Sequence, residues 1–228
     1  MKKIIYYLFF TIMPISVFGI GGFGLQLGQG SFSVEESYPV TGIPGVTLTN
    51  GAFNGSFALG GYAYVDLIPF VDIEFDFNAQ GNTYDIEFQN AVGSMPKLKF
   101  AWVSGNTYTT VRKKVIGLSI PFLAGAQLHA GAGINTHSTV PLADVDMVKD
   151  LLGGDLTNPP ESLDGALLAY LEDDNNLVSS TGFHVQTGFQ FKLLMIDTFL
   201  VYRHTFAEMV VPNAKSFGTL NIRLGFGL

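Results

Sequence analysis

The stretch VDIEFDFN, from Val71 to Asn78, alternates between apolar and polar residues without a break. A period of two predicts a β-strand with one apolar and one polar face. Three carboxylates, Asp72, Glu74 and Asp76, share the polar face, and like charges on one face of a strand repel each other. The surroundings on the two sides of this strand therefore decide which fold the sequence specifies.

The composition limits the classes of protein to which the chain can belong. It has 228 residues, of which 47% are hydrophobic and 14% charged, and its mean hydropathy is +0.32. This length suits one all-β domain or two smaller domains. After the N-terminal region, no segment has the roughly 18 unbroken apolar residues of a membrane helix. The absence of cysteine excludes disulfides, thiolate metal sites, cysteine nucleophiles and a lipid-modified N-terminal cysteine.

The first segment, residues 1–19, reads as a secretory signal peptide, MKKIIYYLFFTIMPISVFG. Lys2 and Lys3 precede an apolar run, which ends in small residues suited to cleavage. A membrane anchor is the alternative, disfavoured because the run is short and contains Pro14. The remaining domain, residues 20–228, keeps 12 − 2 = 10 basic and 19 acidic residues. This acidic balance disfavours nucleic acid as a partner.

Eight segments show strand patterns. The stretches GFHVQTGFQFKL (182–193) and TLNIRLGFGL (219–228) alternate almost as regularly as the opening stretch does. The segment TFLVYRH (198–204) begins apolar on both faces, and we orient Leu200 and Tyr202 outward and Arg203 inward. The eight predicted strands are Gly21–Val34, Phe53–Leu67, Val71–Phe88, Leu98–Ile120, Leu123–Asn135, Gly182–Leu193, Thr198–Phe206 and Phe217–Leu228.

The connections between these strands alternate between short and long. Three are very short and apolar: IPF after Leu67, PF after Ile120 and MID after Leu194. Four are long and polar and cover residues 35–52, 89–97, 136–181 and 207–216. This alternation is typical of an all-β, up-and-down antiparallel barrel in an outer membrane, with tight turns on the periplasmic side and long loops outside. We expect eight strands, with the third and fourth projecting as a ribbon; an extra hairpin within them would make ten.

The end of the chain, LNIRLGFGL (220–228), has apolar residues at every second position to the last. Together with the signal peptide and the one-sided long loops, this ending resembles the small eight-stranded outer-membrane β-barrels of the OmpA, OmpX and OmpW types. The resemblance covers nearly the whole chain after residue 19, as a pattern and not as a motif of known activity. It implies an outer-membrane location, contact with membrane lipid, and recognition of the last strand by the barrel-insertion machinery. Members of that class usually end in an aromatic residue, whereas this chain ends in Leu228, with Phe226 two positions earlier.

A barrel resolves the repulsion within VDIEFDFN, because its apolar face meets lipid and its acidic face meets inward bases from other strands. An eight-stranded interior is only wide enough to be filled by side chains, so we expect a plugged lumen. The predicted ion network comprises Asp66, Asp72, Glu74, Asp76, Lys192, Arg203, Arg223, His129 and His184, with Lys113 as a further candidate. A soluble periplasmic β domain remains the alternative, in which the carboxylates would face water.

The long connection 136–181 is the most unusual segment. It predicts a short amphipathic helix with Val145, Val148, Leu151 and Leu152 on one stripe, ended by Gly153 and Gly154, and a second helix beyond it. Between Ser138 and Ser179 there are nine acids and one lysine. We expect the pair to form a lid, a receptor surface or a gate for a small hydrophobic ligand, or simply to cap the barrel. The candidate contact residues are Leu151, Leu167, Tyr170 and Leu171.

No pattern of residues predicts catalysis. The four histidines show no metal-ligand spacing, and no Ser-His-Asp arrangement is visible. We therefore expect a monomeric, non-enzymatic barrel without cofactor, in a structural or surface-interaction role. The alternative is passage of small hydrophobic molecules through the helical loop. A continuous apolar pocket under Leu151, Leu167 and Tyr170 would favour passage, and a closed ion network reaching His184 would oppose it.

Overall fold

The computed structural model describes residues 21–68, 71–94, 97–120, 123–158, 173 and 176–227. Within these ranges there are nine strands and one α-helix, α1 (Val145–Leu151). The strands are β1 (Gly21–Val34), β2 (Thr47–Asn50), β3 (Phe53–Ile68), β4 (Val71–Gln89), β5 (Leu98–Ile120), β6 (Ala124–Thr139), β7 (Val178–Leu193), β8 (Ile196–Phe206) and β9 (Ser216–Gly227). No described helix has the length and apolar character needed to cross a bilayer.

Eight of the strands close into a ring, which confirms the predicted barrel. Its order is β4-β3-β1-β9-β8-β7-β6-β5, and β5 pairs with β4 again. All neighbours are antiparallel, and β1 meets β9 over the range Gly22↔Gly227 to Ser31↔Gly218. The ninth strand, β2, was not predicted and lies outside the ring, paired with the far end of β4. The described residues contain no further hairpin that would make a ten-stranded ring.

The side chains on the outer surface of the ring are apolar along most of its height. Exposed residues of this belt include Phe23, Leu25, Phe57, Leu59, Phe75, Phe77, Phe189, Phe191, Leu224 and Phe226, each at least half exposed. A soluble monomer does not carry a continuous apolar surface of this kind. Closure of the ring also removes the unpaired strand edges that hydrocarbon does not tolerate. The soluble alternative is therefore wrong.

The sequence DIEF occurs twice in β4, with opposite orientations. In Asp72–Phe75 the carboxylates point inward and Phe75 is 50% exposed, whereas in Asp85–Phe88 the residues Ile86 and Phe88 are buried. The two copies are 85 − 72 = 13 residues apart. Pairing with β5 runs without a register shift from Asp72↔Arg112 to Ile86↔Leu98. An odd offset in an unbroken strand reverses the face, so β4 itself passes from a lipid-facing to a water-facing pattern.

The end of the barrel with the long connections, the loop end, is filled by apolar residues. We call this group the loop-end cluster: Val34, Val46, Leu48, Phe53, Tyr84, Ile86, Phe88, Phe100, Trp102, Ala143, Met147, Val148, Leu152, Leu156, Ala207, Val210, Val211 and Phe217. The predicted ribbon is therefore one wall of a packed cap and does not project alone. Helix α1 contributes Met147 and Val148, and Asp144 caps it by accepting a hydrogen bond from the backbone N of Met147 at 2.8 Å. The opposite end, with the short connections, is the turn end.

Candidate functional site in the charged interior

The inner face of β4 brings the carboxylates of Glu74 and Asp76 into the middle of the barrel. Both side chains are at most 1% exposed. Three guanidinium groups, from Arg112 on β5, Arg203 on β8 and Arg223 on β9, meet them there, and these are at most 3% exposed. We call these five residues the ionic layer. It forms because strands far apart in sequence direct alternate residues to the same level of the lumen.

Glu74 contacts all three arginines. Its Oε2 lies 3.1 Å from Arg112 Nη1 and 2.9 Å from Arg223 Nη1, and its Oε1 lies 3.6 Å from Arg203 Nη2. Oε1 also accepts a hydrogen bond from Gln186 Nε2 at 2.8 Å. A buried carboxylate surrounded in this way retains its charge without water.

Asp76 bridges the other two guanidinium groups of the layer. Its Oδ1 accepts from Arg223 Nη2 at 2.9 Å, and its Oδ2 accepts from Arg203 Nη2. Two glutamines hold the arginines from behind: Gln186 Oε1 accepts from Arg203 Nε at 2.9 Å, and Gln26 Oε1 accepts from Arg223 Nε at 2.8 Å. These neutral acceptors satisfy donors that the carboxylates do not reach.

Aromatic rings cover the guanidinium planes. The Arg112 guanidinium carbon lies 4.4 Å from the ring centre of Tyr64, and that of Arg203 lies 4.0 Å from the ring centre of Tyr108. Such stacking adds cation–π attraction where water is excluded. The arginine side chains are therefore fixed both by ion pairs at their edges and by rings on their faces.

Towards the turn end the carboxylates are less enclosed. Asp72 Oδ2 lies 3.2 Å from Arg112 Nε, which brings three carboxylates into balance with three guanidinium groups. Asp66 lies 3.7 Å from Arg112 Nη2 and its side chain is 33% exposed. His129 Nε2 contacts Gln190 Oε1 at 3.0 Å, and its Nδ1 lies 3.9 Å from Asp72.

Two residues of the predicted network face inward without an ion pair among the described residues. His184 is fully buried, but its Nε2 pairs with Thr110 Oγ1 at 2.8 Å and its ring packs on Tyr108. Lys192 stands opposite Asp197 across β7 and β8. A Cβ on Gly227 would come within 2.2 Å of Asp197 Oδ2 and 2.7 Å of Lys192 Nζ, so glycine leaves room there for both side chains.

Sequence reasoning missed Arg112 and Asp197, and its further candidate Lys113 lies on the outer, exposed face. Asp197 is fully buried and accepts from Tyr64 Oη and from Gln190 Nε2, the latter at 3.0 Å. The register of the β4–β5 hairpin would have identified Arg112 as the partner of Asp72. The long connection 89–97 leaves that register undefined, and a slip of one residue exchanges Arg112 for Lys113.

The loop-end cluster lies above the ionic layer and is anchored by polar contacts to the loops. The Trp102 indole Nε1 donates to the backbone O of Val210 at 3.2 Å, and Tyr84 Oη accepts from the backbone N of Ala143 at 2.9 Å. Burial raises the pKa of Tyr84, so its hydroxyl stays protonated. Leu151, a predicted contact residue, is partly buried and packs against the cluster. The other three, Leu167, Tyr170 and Leu171, lie outside the described residues, as does the second predicted helix.

One cavity in the interior adjoins the charged residues. A cavity of about 10 Å³ lies beside the ionic layer and is lined by Glu74, Arg112, His129, Ala130, Gly131, Gln186, Gly188, Phe199 and Val201. That volume holds at most about one water molecule. A larger depression of about 580 Å³ lies on the outer wall, lined by residues such as Leu27, Phe57 and Ile222.

The described residues provide neither a metal site nor a catalytic arrangement. None of their histidine, aspartate and glutamate side chains form a group of three or more that could hold a metal ion. The closest approach to a nucleophile and base is the pair Thr110–His184. Within the described part of the chain, the Nδ1 atom of this histidine has no hydrogen-bond partner.

Comparison with known proteins finds similar solved structures but assigns no activity to the chain. No protein-family model and no curated protein matches the chain. Among solved structures, Ail, the attachment invasion locus protein of Yersinia pestis, in complex with the heparin analogue sucrose octasulfate, is 9% identical, with 92% of this chain and 99% of that one covered and a TM-score of 0.42. OprG from Pseudomonas aeruginosa is 11% identical, with 92% and 94% covered and a TM-score of 0.48. Neisserial surface protein A is 13% identical, with 90% and 97% covered and a TM-score of 0.43.

These identities and scores say nothing about what the chain binds. The ring itself has eight antiparallel strands, an apolar outer surface and a charged interior. Lipid is the solvent in which such an outer surface and such an interior are both stable. The chain is accordingly an integral membrane protein with the architecture of the small eight-stranded β-barrels of the bacterial outer membrane.

Proposed function

We propose that the chain is a closed, non-enzymatic outer-membrane barrel with a structural or surface-interaction role. The ionic layer is the observation that carries this proposal. Glu74 and Asp76, held by three arginines, occupy the middle of the lumen, and the adjoining cavity has about 10 Å³. Loss of one partner from such a buried pair costs about 3–5 kcal/mol, and we expect spontaneous opening to ions to be rare.

The loop-end cluster supports the same proposal from the other side of the lumen. It fills the mouth of the barrel and packs the described parts of the long connections into one unit. Asn50 Nδ2 donates to the backbone O of Ala143, and Asn90 Nδ2 donates to that of Leu156, both at 2.8 Å. The outward side of this unit, which faces the cell exterior in barrels of this type, is then a stable surface for contact with a partner. We expect a monomer, inserted by recognition of β9 near Phe226.

The test is a conductance measurement on purified protein reconstituted into planar bilayers. We expect no stepwise currents, with a shift in gel mobility on boiling as proof that the reconstituted protein is a folded barrel. Lasting conductance steps from protein that passes this folding test would contradict the closed lumen.

A second candidate function is the uptake of a small hydrophobic molecule at the loop end, and one observation favours it. A depression of about 640 Å³ is lined by Trp102, Pro141, Leu142, Val178, Met209 and Val210, with polar residues between them. Trp102 is the single tryptophan of the chain and reports on this depression directly. Saturable energy transfer from Trp102 to the dye N-phenylnaphthylamine, abolished by Leu142→Glu, would support uptake. Transfer that never saturates would leave the closed barrel as the proposal.

A further inference from the structure

Strand β5 continues well beyond the end of β4 at the turn end of the barrel. The β4–β5 ladder begins at Asp72↔Arg112, but β5 runs on to Ile120, paired with β6 on its other side. From Lys113 to Ile120, therefore, no described residue pairs with one backbone edge of β5. We call this segment the free β5 edge. Along it, alternate N–H and C=O groups point away from β6.

The free β5 edge is also apolar. Val115, Ile116, Leu118 and Ile120 are 62%, 67%, 82% and 60% exposed, and Leu123 at the start of the returning segment is 51% exposed. Exposed apolar edges of this length act as templates for another strand.

Neither solvent satisfies this segment alone. In hydrocarbon, the unpaired backbone groups would stay without hydrogen bonds, because lipid offers neither donors nor acceptors to them. In water the backbone is satisfied, but the apolar side chains remain uncovered. An additional strand removes both problems at once, since it pairs with the backbone and packs against the side chains.

Protective features lie only at the beginning of the edge. Lys113 and Lys114 follow the point where β4 stops, and the register with β6 shifts between Lys114 and Ile116, which leaves Val115 as an extra residue. Lysines and bulges on edge strands hinder indiscriminate pairing. Beyond Val115 neither feature recurs, so the edge from Ile116 to Ile120 stays available for pairing. The consecutive residues Lys113 and Lys114 place positive charge on both faces of β5 at the start of this edge.

A second copy of the chain does not fit this edge. Two barrels in one membrane are related by rotation about the membrane normal, and their strands tilt by about 35–45°. Their β5 strands would cross at about 70–90° and could not form a ladder. Since neither a described residue of the chain nor a second copy supplies the strand, we look for the occupant in a different molecule, whose orientation the membrane does not fix.

We propose that the free β5 edge binds an extended segment of a periplasmic protein by β-strand addition. The segment would alternate apolar and polar residues, so that its apolar side chains lie beside Ile116, Leu118 and Ile120. Carboxylates at one of its ends would reach Lys113 and Lys114. This inference concerns the periplasmic end and does not depend on whether the lumen conducts.

The test uses a single spin label, since the chain has no cysteine of its own. Leu118→Cys carries the label in nanodiscs, and Phe77→Cys, on a strand paired on both sides, is the matched control. The probe is a ten-residue peptide of alternating valine and threonine with two glutamates at one end. We expect the label at residue 118 to be accessible to a water-soluble nickel relaxant and to become immobilised on titration with the peptide. The label at residue 77 should be unaffected by the peptide.

Two comparisons make the result specific to strand pairing. A peptide methylated at alternate backbone nitrogens should not bind, and the peptide should slow amide exchange at alternate residues between 116 and 120. Lys113→Glu combined with Lys114→Glu should weaken binding of the glutamate peptide at least tenfold and favour its lysine counterpart. Equal binding of the methylated peptide, or a label at residue 118 that responds to oxygen and not to nickel, would overturn the proposal.

Discussion

The two DIEF segments of β4 have the same four residues and opposite environments. At Asp72–Phe75 the carboxylates point inward, with Glu74 buried, and Phe75 faces lipid. At Asp85–Phe88 the side chains of Ile86 and Phe88 are buried and Glu87 is exposed. The side chain of Glu74 is 1% exposed, whereas that of Glu87, the corresponding residue, is 49% exposed. The comparison teaches that the solvent outside the barrel decides which face of an amphipathic strand turns inward. The change of solvent along β4 is matched by an odd spacing between the copies.

Deleting Ala79 should have the largest effect, because it makes the spacing between the two segments even. One segment must then present the wrong face, either carboxylates to lipid or Ile86 and Phe88 to water. We expect no folded, heat-modifiable barrel on a gel. Deletion of Val92, which is 62% exposed in the connection after β4, is the matched control and should fold. A deletion of Ala79 that folds like the parent would show that a bulge absorbs the change of phase.

Neutralising the buried carboxylate should come next. Glu74→Gln leaves three guanidinium groups with two close carboxylates, Asp72 and Asp76, and we expect a loss of about 3–5 kcal/mol in the free energy of unfolding. Glu87→Gln, the same change in the other segment, should leave the unfolding midpoint unaltered. Urea unfolding in lipid vesicles, followed by Trp102 fluorescence, measures both. Equal midpoints for the two variants would contradict the ionic layer as a stabilising element.

Removing the phenylalanine ring should destabilise the second DIEF segment more than the first, which is the reverse of the order expected for the glutamates. Phe88→Ala opens a cavity in the loop-end cluster and should cost about 3–5 kcal/mol. Phe75→Ala should cost less than half as much, because lipid closes over the missing ring. The same unfolding assay applies, and an equal loss at both positions would show that the loop-end cluster is not close-packed.

The smallest effect is expected at the surface pair Lys97–Glu87, whose Nζ and Oε1 atoms are 2.6 Å apart and whose side chains are 65% and 49% exposed. The hydrogen bond to Glu87 raises the pKa of Lys97. Its contribution is thus present below the unfolded-state pKa of lysine and is lost as the pH rises through the raised value. Lys97→Met should shift the urea midpoint slightly at pH 7 in low salt, and about 1 M salt should abolish that shift. The effect of Glu74→Gln should persist in salt. If the shift in the urea midpoint caused by Lys97→Met persisted in salt, the contrast between the exposed and the buried ion pairs would be contradicted.

The strand pattern of the sequence predicts most of the barrel. The bounds of β1 and β5 agree with the prediction at both ends, and the alternation of connection lengths predicts the up-and-down order. Helix α1 was also predicted, and Gly153 and Gly154, both with positive φ, follow its end. These features are local, because hydrophobic period, turn composition and capping depend on residues that are close together in the sequence.

The loop end could not be predicted in the same way. Strand β2 and the loop-end cluster depend on contacts between segments far apart in the chain, such as the bond from Trp102 to Val210. The expectation of a projecting ribbon was wrong because Ile86 and Phe100 are buried in the loop-end cluster together with residues of the long connections. Nothing within either strand shows that a partner will be there.

By itself the sequence determined that eight amphipathic strands form, that lipid lies outside them, and that β4 presents its carboxylates inward. Only the tertiary structure decided that Arg112 and not Lys113 joins Glu74, that Asp197 is buried, and that β5 outruns β4 to leave an edge free. Periodicity fixes which face a residue occupies, because it is a property of one strand. Register fixes which residue stands opposite, and it depends on the closure of the whole ring.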